Sequence, residues 1–271
     1  MTADFYIVAT PIGNLSDITY RAVEVLKKVD YIACEDTRVT RILLDKYEIS
    51  AKTFDCHKFN EKQRAEKIIS LLREGKSVAL VSDAGTPLIS DPGSELIRLL
   101  LENDINIISV PGACAVTAFL TYLPRRSEEY AFIGFIPRVK KQQIEILNKY
   151  KYTNCVFYES PNRLSETLEN IKAAFGEETK IAVGRELTKV FEEVKIAPVR
   201  EIIDYYKTHP LKGEIVVMVF AGENRDPEEN DIIQKITALK EEGYCDKDIS
   251  VIISKLFGIS KNKVYKLSIE N

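Results

Sequence analysis

The sequence predicts an α/β protein built of two sheet domains with a small helical segment at its end. Three observations carry that prediction. In the first half, apolar runs end in turns holding a single glycine, usually beside a proline, and each turn opens a helical pattern. In the second half strand-like runs continue with fewer such turns, and the last forty or so residues show helical periodicity alone. The length of 271 residues leaves room for about two domains and an appendage, and 45% apolar with 29% charged residues is the mix of a soluble globular chain.

Taken in order, Phe5–Thr10 reads as a strand leading into Pro11-Ile12-Gly13-Asn14 and a helix over Ser16–Lys28, with Ser16 or Asp17 as its cap. A strand near 31–35 and a helix near 39–47 follow. Asn60 caps the amphipathic run Glu61–Arg73, and Gly75 stops it. Ser77–Ser82 leads into Asp83-Ala84-Gly85-Thr86-Pro87 and a helix over Ser90–Asn103. Asn106–Val110 leads into Pro111-Gly112-Ala113 and a helix over Cys114–Leu123. Strand, tight turn and helix, repeated, set several loops at the carboxyl edge of one parallel sheet, where ligands bind. The pattern breaks at Leu123-Pro124-Arg125-Arg126, which puts a domain boundary between 1–123 and 124–226. The second domain has strands near 130–135, 155–159, 180–186 and 214–221, helices near 139–151, 162–175 and 199–208, and a mixed sheet. After the acidic linker Gly222–Asn230, helices near 231–242, 246–257 and 261–269 make a tail over 227–271.

Several chemistries are excluded early. The twelve glycines never cluster, so neither GxGxxG nor GxxxxGK[ST] is present and a phosphate-cradling nucleotide site is disfavoured. GxSxG is absent too, against a hydrolase elbow. Two histidines without HExxH argue against a zinc site. Five scattered cysteines without CxxC read as reduced thiols of a cytoplasmic protein. Neither a membrane span nor a secretory signal is evident. The expected ligand is small, polar and not held by phosphates.

Net charge is −3, so any affinity for nucleic acid rests on local basic islands. One is Ile136–Lys151, with Arg138, Lys140, Lys141, Lys149 and Lys151 against Glu145; another is the last helix, with Lys261, Lys263 and Lys266. Each reads either as a solvated helix face or as a place where a polyanion docks. Phe257-Gly258 followed by Ile259–Lys266 also has the pattern of a helix-turn-helix, which admits a ligand-sensing, DNA-binding protein as a rival reading.

As a set, Tyr6–Leu15, Glu35-Asp36-Thr37-Arg38, Leu80–Pro87 and Pro111-Gly112 resemble the tetrapyrrole methylase superfamily, S-adenosylmethionine enzymes with two α/β domains around a cleft. Phe157-Tyr158-Glu159-Ser160, Gly184–Lys189 and Lys212-Gly213-Glu214 resemble its ribosomal RNA branch, which methylates the ribose 2′-hydroxyl of a decoding-centre cytidine in 16S RNA. This sequence has Asp83-Ala84-Gly85 where porphyrin-methylating branches usually carry Gly-Asp-Pro, which favours the RNA branch; methylation of a tetrapyrrole carbon is the alternative within the superfamily. The resemblance implies a homodimer and no metal. It also implies that Pro11, Gly13, Asp83, Ala84, Gly85, Thr86, Pro87, Pro111, Gly112, Ala113, Tyr158 and Gly213 bind the cofactor. Tyr158 either stacks on a base or belongs to the core.

Methyl transfer from a sulfonium is an in-line displacement, so alignment is the main demand, with help in removing the hydroxyl proton. Asp36, Glu186 and Lys212 are the candidates for orienting or deprotonating the hydroxyl. Arg38, Arg185 and Lys189 are candidates for holding flanking phosphates, and Arg138, Lys140 and Lys141 for the RNA approach. Structural ion pairing is the competing role for the Glu35–Arg38 and Arg185–Lys189 groups.

Overall fold

The computed structural model describes residues 4–57, 60–91, 93–125, 128–209, 211–222 and 229–270. Met1–Ala221 form one compact unit holding two sheets, and Gly222–Asn271 form a second unit.

The first sheet comprises β1 (Phe5–Val8), β2 (Tyr31–Cys34), β3 (Lys52–Asp55), β4 (Val78–Leu80) and β5 (Ile107–Val110). All pair in parallel, in the order β3-β2-β4-β1-β5. β3 was not foreseen: it is an edge strand of four residues with Phe54 as its one buried side chain, too little apolar pattern to read. Helices α1 (Tyr20–Lys28) and α2 (Thr37–Lys46) cover one face, through Ala22, Leu26 and Leu44. Helices α3 (Glu61–Arg73) and α4 (Ser94–Glu102) cover the other, through Ile68, Leu72, Leu96 and Leu100. The chain leaves β1 over one face and β4, its neighbour, over the opposite face. Their loops therefore part and open a crevice at the carboxyl edge.

Two caps differ from the sequence reading. The Asn14 side chain accepts from Ser16 N and closes a separate 3-10 turn, Leu15–Asp17, so α1 starts later and is capped by Thr19, whose hydroxyl accepts from Ala22 N at 3.1 Å. Asn60 stands at the cap position of α3, but its carboxamide accepts from His57 N at 2.8 Å and donates to Asp55 at 2.6 Å instead of capping.

The second sheet is mixed: β6 (Tyr130–Phe135), β7 (Asn154–Glu159), β8 (Lys180–Arg185), β9 (Glu193–Pro198) and β10 (Ile215–Val219), in the order β6-β7-β10-β8-β9. Only β6 and β7 run parallel. β9 escaped the sequence reading because its Glu193-Val194-Lys195-Ile196 alternation is that of a polar edge. Helices α6 (Lys140–Lys149), α7 (Pro161–Phe175) and α8 (Val199–Thr208) cover one face of this sheet. On its other face lies α5 (Ala115–Leu120), whose Val116, Phe119 and Leu120 pack with Ile12 against Val156, Ala182, Val216 and Met218. Gly184 makes this possible, since a Cβ there would lie 2.6 Å from the Phe119 ring. The helix that follows the third loop of the first sheet thus belongs to the core of the second.

In the second unit, α9 (Glu229–Glu241), α10 (Asp246–Phe257) and α11 (Lys261–Glu270) close on Ile232, Ile236, Ile249, Ile253 and Val264. Gly258, in the left-handed conformation, ends α10.

Candidate active site

The loops after β1, β4 and β5 are tied to one another. Thr10 and Gly85 exchange backbone hydrogen bonds of 2.9 and 3.1 Å, and the Thr10 hydroxyl donates to Ser82 O at 3.0 Å. The Thr86 hydroxyl donates to Ala113 O at 3.0 Å. Gly112 lies so close to Ala9 that a Cβ would come within 2.9 Å of the alanine methyl. Separate one-glycine turns thereby become a single rim.

Against this rim the second sheet encloses a cavity of 390 Å³. The first sheet supplies Ile12, Glu35, the loop Asp83–Thr86, Ser90 and Asp91. The start of α5 supplies Cys114 and Ala115, and the second sheet supplies Phe135, Tyr158, Glu159, Leu187 and Glu214. Five carboxylates line it, and among the described residues no lysine, arginine or histidine does. Burial pushes the Glu35, Asp83 and Asp91 carboxyls above their ordinary range, and their mutual repulsion adds to it. A cavity with this lining favours a cationic guest. The Tyr158 ring packs at 5.1 Å from Phe132 and 5.5 Å from Phe135, and burial pushes its phenol well up.

Glu159 is fully buried, and the sequence reading gave it no role. Its carboxylate accepts from Ser160 N at 2.7 Å and the Thr167 hydroxyl at 2.6 Å, with Arg163 at 3.3 Å. Arg163 also donates to Pro137 O at 2.9 Å, as does Gln143 at 2.8 Å. This network fixes the turn after β6 and so the placing of Phe135.

A second cavity, of 240 Å³, shares Ile12, Asp83, Ala84 and Glu214 with the first. Its remaining wall comes from Pro11, Gly13, Lys189 and the α2 residues Val39, Thr40, Ile42 and Leu43.

The turn after β8 holds the densest strain. Glu186 and Thr188 both have positive φ, at 51° and 64°. One Glu186 carboxylate oxygen accepts from Lys189 Nζ at 2.8 Å and from Glu214 N at 3.0 Å, while Lys189 also reaches Glu214 at 3.0 Å. Burial alone would raise Glu186; Lys189 and the amide outweigh it and hold the carboxyl below its usual range. A Cβ at Gly13 would lie 2.4 Å from Lys189 Cγ, so the β1 loop seats directly on this turn.

Of the residues expected to bind a cofactor, Asp83, Ala84, Gly85, Thr86, Tyr158 and Gly213 line the larger cavity, while Pro11 and Gly13 line the smaller. Pro87, Pro111, Gly112 and Ala113 line neither; the last two hold the loops that do. Asp36 also stands outside both. It caps α2 and grips Arg38 at 2.6 Å, a hydrogen bond that lowers its carboxyl to about 2. Its backbone N–H donates to Asp83 Oδ1 at 3.0 Å. Lys212 is exposed beside Gly213, and Arg185 Nε lies 3.6 Å from Glu193. Arg138, Lys140 and Lys141 are exposed at the start of α6. Glu35, Ser90, Asp91, Glu159 and Glu214 were missed as lining residues. The signal for Asp91 was its place before a proline one helix-turn past the Asp83 loop.

Among the described residues no group of three or more histidine, cysteine or acidic side chains could hold a metal ion, and no helix is long and apolar enough to cross a membrane.

Residues 4–203 match the family model for tetrapyrrole (corrin/porphyrin) methylases. Proteins named ribosomal RNA small subunit methyltransferase I are similar over almost the whole chain. The one from Mesorhizobium japonicum is 42% identical over 98% of this chain and 91% of its own length, and that from Escherichia coli O157:H7 is 40% identical over 98% and 94%. Among solved structures, cobalt precorrin-4 methyltransferase, a cobalamin biosynthetic enzyme, superposes with a TM-score of 0.62 at 20% identity, covering 80% of this chain and 94% of that one. Uroporphyrin-III C-methyl transferase from Thermus thermophilus, complexed with S-adenyl homocysteine, does so with a TM-score of 0.58 at 15% identity, covering 80% and 97%. At those identities the likeness to the solved structures is one of fold. The family model and the full-length relatives agree: the chain belongs to the tetrapyrrole (corrin/porphyrin) methylase family.

Proposed function

We propose that this chain transfers a methyl group from S-adenosylmethionine to the ribose 2′-hydroxyl of a cytidine in the decoding-centre region of 16S ribosomal RNA. The likeness over 98% of the chain to proteins named as small-subunit ribosomal RNA methyltransferases carries this reading, and the motifs after β7, β8 and before β10 point to the same branch. The donor fits the larger cavity: separate loops offer backbone groups, Tyr158 and Phe135 offer apolar faces, and charged lining side chains that are acidic throughout suit a ligand with a sulfonium and an ammonium. When bound, the donor supplies a methyl carbon on a positive sulfur, open to in-line displacement.

The residues of the chain do the rest. The loop Asp83–Thr86, Asp91 and Gly213 hold and orient the donor, and Leu187 and Ile12 screen it from water. Asp36 and Glu186, each tied to a cation and held below the usual carboxyl range, are weak bases and act by positioning Arg38, Lys189 and Glu214. Arg138, Lys140 and Lys141, exposed a few residues past the lining residue Phe135, and Lys212, exposed beside Gly213, meet RNA phosphates. A homodimer at work in the cytoplasm completes the proposal, with α11 lending Lys261, Lys263 and Lys266 to the RNA.

The test is labelled methyl transfer. Label entering a cytidine 2′-oxygen of unmethylated small ribosomal subunits, and not porphyrin precursors, supports the reading. Label entering a precursor carbon, or neither substrate, overturns it.

A further inference from the structure

We propose that the smaller cavity is the seat of the acceptor nucleoside, drawn out of the RNA strand, with Asp83 at the wall between the cavities taking the proton of its 2′-hydroxyl. This rests on the reading above and assigns the half of the site that the donor leaves unfilled.

Three observations place it there. The two cavities meet at Ile12, Asp83, Ala84 and Glu214, so a group in one can touch a group in the other across that wall alone. The smaller cavity has the lining that a base and a sugar need: apolar Pro11, Val39, Ile42 and Leu43 with a few polar groups among them. One of those groups is the Thr40 hydroxyl. It is 4% exposed and makes no hydrogen bond among the described residues, with only the Cys34 thiol, a weak partner, beside it. A base edge would satisfy it.

Asp83 is held for the part. Its Oδ1 accepts the Asp36 backbone N–H, which turns the carboxylate and leaves the other oxygen for a ligand. Asp36 thus works through its amide as a positioning residue. Partial burial makes Asp83 a better base than an exposed carboxylate, and Lys189, held between Glu186 and Glu214, faces the same cavity as the cation nearest a bound phosphate. In the step, the hydroxyl O–H bond breaks with its proton passing to Asp83. The new O–CH₃ bond replaces the S–CH₃ bond, whose electron pair stays on sulfur, and Asp83 returns the proton to solvent. Next to Lys189, Val190 and Phe191 stand 94% and 71% exposed at the tip of the turn. Such an apolar tip can fill the gap that an extruded base leaves in the strand.

Two variants of the full chain test the assignment, with unmethylated small ribosomal subunits as substrate. Ile42→Trp fills the smaller cavity from its exposed side and touches nothing in the larger. Donor affinity by calorimetry should stay within about twofold, while transfer falls about 100-fold or more. The unaltered protein's rate should rise with pH as Asp83 ionises; Asp83→Asn should lose that rise and about 10²–10⁴ in rate at saturating donor. Ile42→Trp transferring normally, or Asp83→Asn regaining full rate when donor is saturating, overturns the inference. If the unaltered protein transfers nothing to subunits, the functional reading falls first; if it transfers and Ile42→Trp matches it, only the seat of the acceptor is wrong.

Discussion

Gly213→Ala is the substitution whose consequence the structure states most sharply. Gly213 has φ +90°, and a Cβ there would lie 2.1 Å from Glu186 Oε1 and 2.3 Å from its carboxyl carbon. The left-handed backbone costs an alanine about 1–2 kcal/mol. Overpacking against a carboxylate that two donors hold in place costs about 1–3 kcal/mol more. For the unit Met1–Ala221, a loss of that size lowers the melting temperature by about 4–20 °C. Gly75 provides the control, since it has φ +79° with nothing within 4 Å of the added Cβ, so Gly75→Ala bears the backbone part alone, about 2–8 °C. Removing the obstacle should restore the difference: Gly213→Ala with Glu186→Ala should be less impaired than the two changes added together, by the overpacking share. Thermal unfolding of the unaltered protein, the three single variants and the double variant decides the matter. Equal melting of Gly213→Ala and Gly75→Ala would refute the claim that the carboxylate, and not the backbone, dictates glycine at 213.

The other predictions concern charge, binding and the apolar tip. Burial raises the Asp91 carboxyl, so its favourable contribution to folding is complete below the ordinary carboxyl range and is lost as pH rises through its raised value. Asp91→Asn should therefore melt higher than the unaltered protein at neutral pH without donor, match it near pH 3, and bind donor more weakly by calorimetry. Neutralising Arg138, Lys140 and Lys141 together should flatten the dependence of log affinity for RNA on log salt by about 2, as three fewer released counterions predict; an unchanged slope would remove α6 from the RNA surface. Glu159→Ala leaves Arg163 uncompensated in a buried network and should destabilise by about 3–5 kcal/mol, read in denaturant unfolding. If the exposed tip fills the gap left by an extruded base, Phe191→Ala should slow methyl transfer several-fold while donor affinity stays unchanged, since Phe191 lines neither cavity.

Much of the fold was legible because it is written in local chemistry. Pro11–Asn14, Asp83–Pro87 and Pro111–Ala113 announce tight turns after apolar runs, and all three fall on one sheet edge. The mixed second sheet followed from the scarcity of such turns. What was hidden depends on contacts distant in sequence. Thr10 meeting Gly85, or Phe119 pressed on Gly184, has no local signature. The assignment of α5 to the core of the second sheet was hidden for the same reason. Among site residues, Asp83 and Tyr158 sit in loud motifs; Glu35 and Glu214 sit in motifs too, but that their carboxylates line one cavity depends on the two sheets meeting. Asp36 shows what sequence position leaves open: a carboxylate after a strand invites a catalytic role, and only the fold shows its side chain paired with Arg38 and its amide donating to Asp83.

A net charge of −3 hides a sorting of charge that the proposed reaction needs. The guest of the larger cavity is cationic and the RNA is a polyanion, so a uniformly basic protein would repel the first and a uniformly acidic one the second. Here the carboxylates of Glu35, Asp83, Asp91, Glu159 and Glu214 line the larger cavity, and the cations Arg138, Lys140 and Lys141 stand exposed on the chain just past β6. The arrangement also discriminates against a mistaken guest. A phosphate drawn by the outer cations meets crowded carboxyls at the larger cavity, where its charge has no partner, so the RNA backbone stays out of the donor's place. The crowding weakens the unliganded fold, which is why Asp91→Asn should stabilise it. The same neutralisation should let inorganic phosphate or a nucleotide compete for the larger cavity. If competition by phosphate is as weak in Asp91→Asn as in the unaltered protein, the inner carboxylates do not act as an electrostatic filter.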